Sequence, residues 1–295
     1  MFNRHVLFHD DSDGLASAAV LYGRYGSEIT YTAVQYGQPF PDFIELNPNT
    51  QIIIVDFSYT REILEDVYSK VGSLLVIDHH KTAKEDLKDL PYAVFDMDYS
   101  GATLVWQHYN QNKSREEIPL VYQLVEDRDL WRFKLEDSKA FEEGMRASPR
   151  YREIPYWSQV VNDPDELALV IQRGRSLLEQ VQNVVNNFIK TRKYAICNFK
   201  HQDKNHKIAL YNTTSLISEI AEGIYSDQEL DVDFTMSFFI TSEAKVIFSF
   251  RSSKKKNIDV GSIAKTLGGG GHANAAGASL NFQEGIEFLK TLYQL

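Results

Sequence analysis

Three clusters of acidic and imidazole side chains each stand just beyond an apolar run. Asp11 and Asp13 follow Val6-Leu7-Phe8, Asp56 follows Ile52-Ile53-Ile54-Val55, and Asp78-His79-His80 follows Leu74-Leu75-Val76-Ile77. In an open α/β sheet, ligands collect at the carboxyl ends of the strands. Carboxylates gathered at one such edge repel one another unless cations neutralise them. Oxygen and nitrogen donors without a thiolate suit Mn²⁺ or Mg²⁺ better than a structural zinc site. Taken singly, each piece has a plainer reading. Asp-x-Asp-Gly is ordinarily a turn, an Asp after a strand can cap the next helix, and Asp-His-His can be a solvated loop. Their recurrence at three strand ends favours a metal centre.

The elements that must position these groups are short apolar strands alternating with amphipathic stretches. Between the strands, Leu15 to Tyr25 reads as a helix after the Asp13-Gly14 turn, and Thr60 to Ser69 has helical spacing at Ile63, Leu64 and Val67. Ile29 to Val34 alternates like a further strand. Such alternation predicts βαβ units and a parallel sheet covered on both faces. Helices are expected from Ser100 and Pro119, with Ser100 as a cap. Asp163-Pro164-Asp165-Glu166 then opens a long helix running to about Arg192. Beyond it the period changes to strands at Tyr194–Phe199, Lys207–Tyr211, Phe234–Ile240 and Lys245–Phe250, with helices at Ser215–Tyr225 and Phe282–Leu292. The expected fold class is therefore α/β: a parallel-sheet N-terminal domain and a smaller α+β C-terminal domain joined by a long helix. The boundaries are 1–163, 164–193 and 194–295.

Bulk properties restrict the function. A net charge of −10 over 295 residues argues against a surface coated for duplex DNA, although a metal-centred cleft can be locally positive. The single cysteine, Cys197, rules out an internal disulfide and points to a reducing compartment. No stretch approaches the ~20 apolar residues that span a bilayer, so a cytoplasmic protein with no membrane partner is expected. Trp106, Trp131, Trp157 and Phe250 could stack on a base, but their spacing favours the core. Lys254-Lys255-Lys256 reads as a solvated loop.

His9-Asp10-Asp11-Ser12-Asp13-Gly14, Asp56, Asp78-His79-His80 and Glu126-Asp127-Arg128-Asp129 resemble the four motifs of the DHH phosphoesterase superfamily. Gly268-Gly269-Gly270-Gly271-His272-Ala273-Asn274-Ala275-Ala276-Gly277 resembles the glycine-rich signature of the DHH-associated C-terminal domain. The resemblance implies an N-terminal DHH catalytic domain and a C-terminal substrate-binding domain. It assigns Asp11 to one metal and Asp13 to another, with Asp56 bridging both and His79 and Asp127 completing the second site. His9 is added to the first site, although it lies two residues before Asp11, whereas nanoRNases place a ligand His four before. Asp127 is preferred to Asp129 because Trp131 then falls where an apolar residue follows the ligand. Asp78 would orient a histidine, and Asp56 and His80 would be catalytic, His80 facing the phosphate. Arg251, Gly270, Gly271 and His272 would hold substrate.

The implied cofactor is two Mn²⁺ ions, with Mg²⁺ or Co²⁺ able to replace them. Such a pair acidifies water and stabilises charge on phosphoryl oxygens. The expected activity is that of a two-metal phosphodiesterase, an exonuclease or oligoribonuclease. It would hydrolyse short single-stranded oligonucleotides or linear dinucleotides to nucleoside monophosphates, and a homodimer is allowed. The competing readings are a phosphatase of the 3′-phosphoadenosine 5′-phosphate type, an exopolyphosphatase, and a non-catalytic nucleic-acid-binding protein.

Overall fold

The computed structural model describes residues 3–227 and 229–294. They divide into two compact units, one reaching to Leu178 and the other starting at Glu179. The first contains, in order, β1 (Asn3–His9), α1 (Ser12–Tyr25), β2 (Thr30–Val34), β3 (Thr50–Val55), α2 (Arg61–Lys70), β4 (Ser73–Asp78), α3 (Lys81–Leu87), β5 (Ala93–Phe95), α4 (Gly101–Tyr109), α5 (Leu120–Asp129), α6 (Ser138–Arg146) and α7 (Ile154–Asn162). Then comes α8 (Pro164–Lys190), which starts in this unit and continues into the next.

All five strands of the first unit are parallel, in the order β2-β1-β3-β4-β5. The central strands read as unbroken apolar runs because both faces are covered. Ile53, Val55 and Ile77 pack with α1, α4, α5 and α7 on one side. Ile52, Ile54, Leu74 and Val76 pack with Leu64 and Val67 of α2 on the other. Register decides where the chemistry falls. Phe8 pairs with Val55, and Val55 with Ile77, so the next residue on each strand is His9, Asp56 and Asp78. One step along three adjacent strands puts the three motifs at a single edge.

The second unit contains β6 (Ala195–His201), β7 (Lys204–Asn212), α9 (Ile217–Ser226), β8 (Phe234–Ile240), β9 (Lys245–Arg251), α10 (Val260–Thr266), β10 (Gly270–His272), β11 (Ala275–Asn281) and α11 (Phe282–Tyr293). Its mixed sheet has the order β10-β11-β9-β8-β7-β6, and only β7 and β8 run parallel. Helices α10 and α11 cover one face. The other face meets α9 and the C-terminal turns of α8, through Val185, Phe188, Tyr211, Ile220 and Ile224. The protein is thus α/β in its first unit, with a mixed sheet in its second, linked by α8. α3, β5, α6, α7, α10, β10 and β11 add to the elements expected from the sequence. Among the described residues no helix is long and apolar enough to cross a membrane.

Candidate metal centre

Asp56 occupies the first position after β3 and is 1% exposed. Its φ of 53° lies in the left-handed region, which Asp tolerates better than most residues, though at a cost. Neither carboxylate oxygen accepts a hydrogen bond, although His79 Nε2 lies 3.2 Å from Oδ1 and His9 Nδ1 lies 4.0 Å from Oδ2. A buried carboxylate without donors is costly unless something charged meets it. Burial, reinforced by the nearby charges of Asp13 and Asp11, pushes its pKa far above the carboxylate range.

Donors cluster around it in three overlapping sets: His9, Asp11 and Asp56; Asp13, His79 and Asp129; and Asp56, His79 and His80. Asp11 caps α1 by accepting the Gly14 N–H at 2.9 Å, and its other oxygen lies 2.7 Å from His9 Nδ1. Gly14 has no alternative here, because a Cβ on it would stand 2.0 Å from the His9 carbonyl oxygen. Asp13 is buried at the start of α4, accepting from Gly101 N at 2.5 Å, Ala102 N at 2.9 Å and Ser100 Oγ at 2.8 Å. Burial raises its pKa despite these donors. Ser100, expected only as a helix cap, thus also holds Asp13. Glu126 steadies the same helix start, accepting from Ser100 N at 3.3 Å and from Arg132 at 2.6 Å.

The two candidate ligands of the fourth motif are placed differently. Asp129, not Asp127, joins the cluster, its Oδ2 lying 3.6 Å from His79 Nε2. Burial and the charges of Asp13 and Asp11 raise its pKa to about 8. The Asp127 carboxylate is instead engaged by the backbone N–H groups of Lys134 (2.8 Å) and Leu135 (3.1 Å). Trp131, whose position had favoured Asp127, is an exposed residue rather than a core one.

Asp78 is fully buried and aims the histidines. Its Oδ1 accepts the His79 N–H at 2.7 Å and contacts His80 Nδ1 at 2.7 Å, while Oδ2 accepts from Ser58 at 2.6 Å. Burial works to raise its pKa, but the His80 contact and these donors hold it below the usual value. In turn the Asp78 hydrogen bond raises the His80 pKa. Contact through Nδ1 leaves Nε2 as the ring nitrogen available to a ligand.

In the second unit, Arg251 and His272 both pair with Ala275, from opposite sides. They therefore share one row and one face of the sheet, two strands apart. The glycine run is not a free loop, since Gly270, Gly271 and His272 form the edge strand β10. Gly271 has φ 142° and a Cβ there would lie 2.5 Å from the Ala276 Cα, so only glycine fits. Arg251 donates to Ser218 at 3.1 Å and lines a cavity of about 520 Å³ with Tyr225, Lys254, Lys255 and Lys256. The lysine run is therefore part of a pocket wall, with Lys256 paired to Asp231.

Comparison with known proteins finds one family match within each unit. Residues 5–126 match the DHH family, N-terminal domain, and residues 210–295 match the DHHA1 domain. The chain is 26% identical to the uncharacterized protein R106 of Acanthamoeba polyphaga mimivirus, over 94% of this chain and 67% of that protein. It is 23% identical to oligoribonuclease NrnB of Bacillus subtilis, over 94% of this chain and 72% of the relative. The pGpG-specific phosphodiesterase PggH from Vibrio cholerae shares the fold, with a TM-score of 0.60 and 16% identity over 98% of this chain and 97% of the other.

Proposed function

We propose that this chain, which belongs to the DHH family of phosphoesterases and carries a DHHA1 domain, is a two-metal phosphodiesterase acting on short single-stranded oligonucleotides or linear dinucleotides and releasing nucleoside monophosphates. The observation that carries the reading is Asp56, a buried carboxylate with two unpartnered oxygens standing between two donor sets. His9, Asp11 and Asp56 would hold one cation. Asp13, His79 and Asp129 would hold the other, with Asp56 shared. These hard oxygen and imidazole donors fit Mn²⁺, and Mg²⁺ or Co²⁺ as substitutes. When bound, the ions supply Lewis acidity toward the phosphoryl group and an acidified water.

The remaining work falls to side chains. Water oxygen bonds to phosphorus and gives up a proton to solvent, the bond from phosphorus to the leaving ribose oxygen breaks, and that oxygen takes up a proton. His80 is the donor in this reading, supported by the Asp78 contact that favours its protonated form. Arg251, Gly270, Gly271 and His272 hold a phosphate of the substrate, as the shared row of Arg251 and His272 suggests. That NrnB is an oligoribonuclease and PggH is pGpG-specific supports a short nucleotide substrate. A panel of labelled di- to decanucleotides with Mn²⁺ tests the proposal. Nucleoside monophosphates should appear fastest from the shortest members. Release of free phosphate from 3′-phosphoadenosine 5′-phosphate or polyphosphate, with oligonucleotides left intact, would replace it with the phosphatase reading.

A further inference from the structure

The turn after α5 displays an indole to solvent and is built to keep it there. Trp131 is 72% exposed, whereas Trp106 and Trp157 are buried. Trp131 and Phe133 both have positive φ, 53° and 46°, a conformation that non-glycine residues hold only when surrounding contacts impose it. Asp127 imposes it. Its carboxylate takes the N–H groups of Lys134 and Leu135, and its carbonyl takes those of Arg132 at 2.9 Å and Phe133 at 3.3 Å. The Arg128 guanidinium sits 4.7 Å from the Trp131 ring centroid, and Lys139 Nζ sits 4.9 Å from that of Phe133. Neither cation enters a salt bridge among the described residues. Asp129, a member of the metal cluster, lies two residues before Trp131, so their Cα atoms are within about 7 Å.

We propose that Trp131 and Arg128 form a stacking platform for a nucleobase of the substrate, making the protein select base-bearing over base-free phosphate chains. The inference rests on the oligonucleotide reading above and adds a subsite to it. Every base has a π-face, so such a platform binds without regard to sequence. The guanidinium adds a cation beside the ring, suited to the adjoining backbone phosphate. In a chain of net charge −10, the run Arg128, Trp131, Arg132, Phe133, Lys134 interleaves basic and aromatic residues beside the centre proposed to cut phosphodiesters.

The test compares 5′-phosphorylated triadenylate with its abasic counterpart, using Mn²⁺-loaded wild type, Trp131→Ala and Trp131→Phe. For triadenylate, Trp131→Ala should lower kcat/KM about 5- to 150-fold, mainly through KM, and Trp131→Phe should recover part of the loss. For the abasic chain all three should be alike. Indole emission of the wild type should be quenched by a phosphorothioate triadenylate, and this response should vanish in Trp131→Ala. Equal kcat/KM for wild type and Trp131→Ala on triadenylate would overturn the inference. So would an equal loss on both substrates, including one that accompanies a change of oligomeric state. A wild type inactive on both chains would sink the parent reading and this inference with it. A wild type active on both but indifferent to Trp131 sinks this one alone.

Discussion

Gly101 stands so close to Asp56 that a Cβ built on it would lie 2.5 Å from the aspartate's own Cβ and 2.8 Å from its carboxyl carbon. The first residue of α4 and the left-handed residue after β3 are thus fitted to each other. Gly101→Ala should leave the helix able to form but displace Asp56. A shift of about 1 Å in a reacting group can cost ~10²-fold in rate, so kcat/KM should fall by about that factor while circular dichroism stays unchanged. Retention of wild-type activity would show that Asp56 is not held by this contact.

Asp56→Asn separates folding from metal binding. It removes a carboxylate whose ionisation is opposed by burial and by Asp13 and Asp11. The metal-free Tm should therefore hold or rise, while activity is lost. Wild type at Mn²⁺ concentrations of ~100 Kd should gain about 2.7 kcal/mol of stability. In the variant most of that gain should disappear, as read by thermal denaturation with and without Mn²⁺.

Without metal, stability should fall as pH rises. The folded pKa values of Asp56 and Asp129 are raised, the latter to about 8, against ~3.9 in an unfolded chain. Their contribution is fully present below the unfolded value and is lost as pH climbs through the folded one. His9 and His80, also raised, act in the same sense above their ordinary value. Asp11 and Asp78 are lowered and act oppositely, but only at the acid end. In EDTA the Tm should be higher at pH 5.5 than at pH 8.5. Mn²⁺ should close the gap and release protons on binding, measurable by calorimetry in buffers of different ionisation enthalpy.

Asp127 and Asp129 should fail in different ways. Asp129→Ala should weaken Mn²⁺ binding with little change in metal-free Tm. Asp127→Ala should leave the metal stoichiometry intact while stripping two backbone N–H groups of their acceptor, at about 1–3 kcal/mol each if they stay buried. Calorimetric stoichiometry with paired melting curves distinguishes them. Loss of one ion in Asp127→Ala alone would restore the ligand role read from the sequence.

The contrast between these two residues shows where sequence reasoning stops. Asp11, Asp13, Asp56 and Asp78 are legible because they follow apolar runs that read as buried strands, and parallel register then aligns those strand ends. Asp127 and Asp129 lie two apart at the end of α5 and face different sides of the helix. Which of them reaches the cluster depends on how residues 130–135 fold back, a tertiary matter that spacing does not encode. Trp131 misled for the same reason, since its apolar side chain suggested burial. β10 and β11 were missed because Gly and Ala carry little strand signal. Their pairing comes from neighbouring strands rather than from their own composition.

With β1, β3 and β4 delivering their donors at the carboxyl rim, the amino rim is held by backbone contacts. There Asn3 donates to the Asn49 carbonyl, and Gly72 donates to that of Thr50. Exposed Asn49, at the tip of this rim, is where a fluorophore or tether could be attached a full strand's length from the clustered carboxylates. The two ends of the same sheet are therefore separable by handling as well as by chemistry, and a label at one can report on events at the other without touching them.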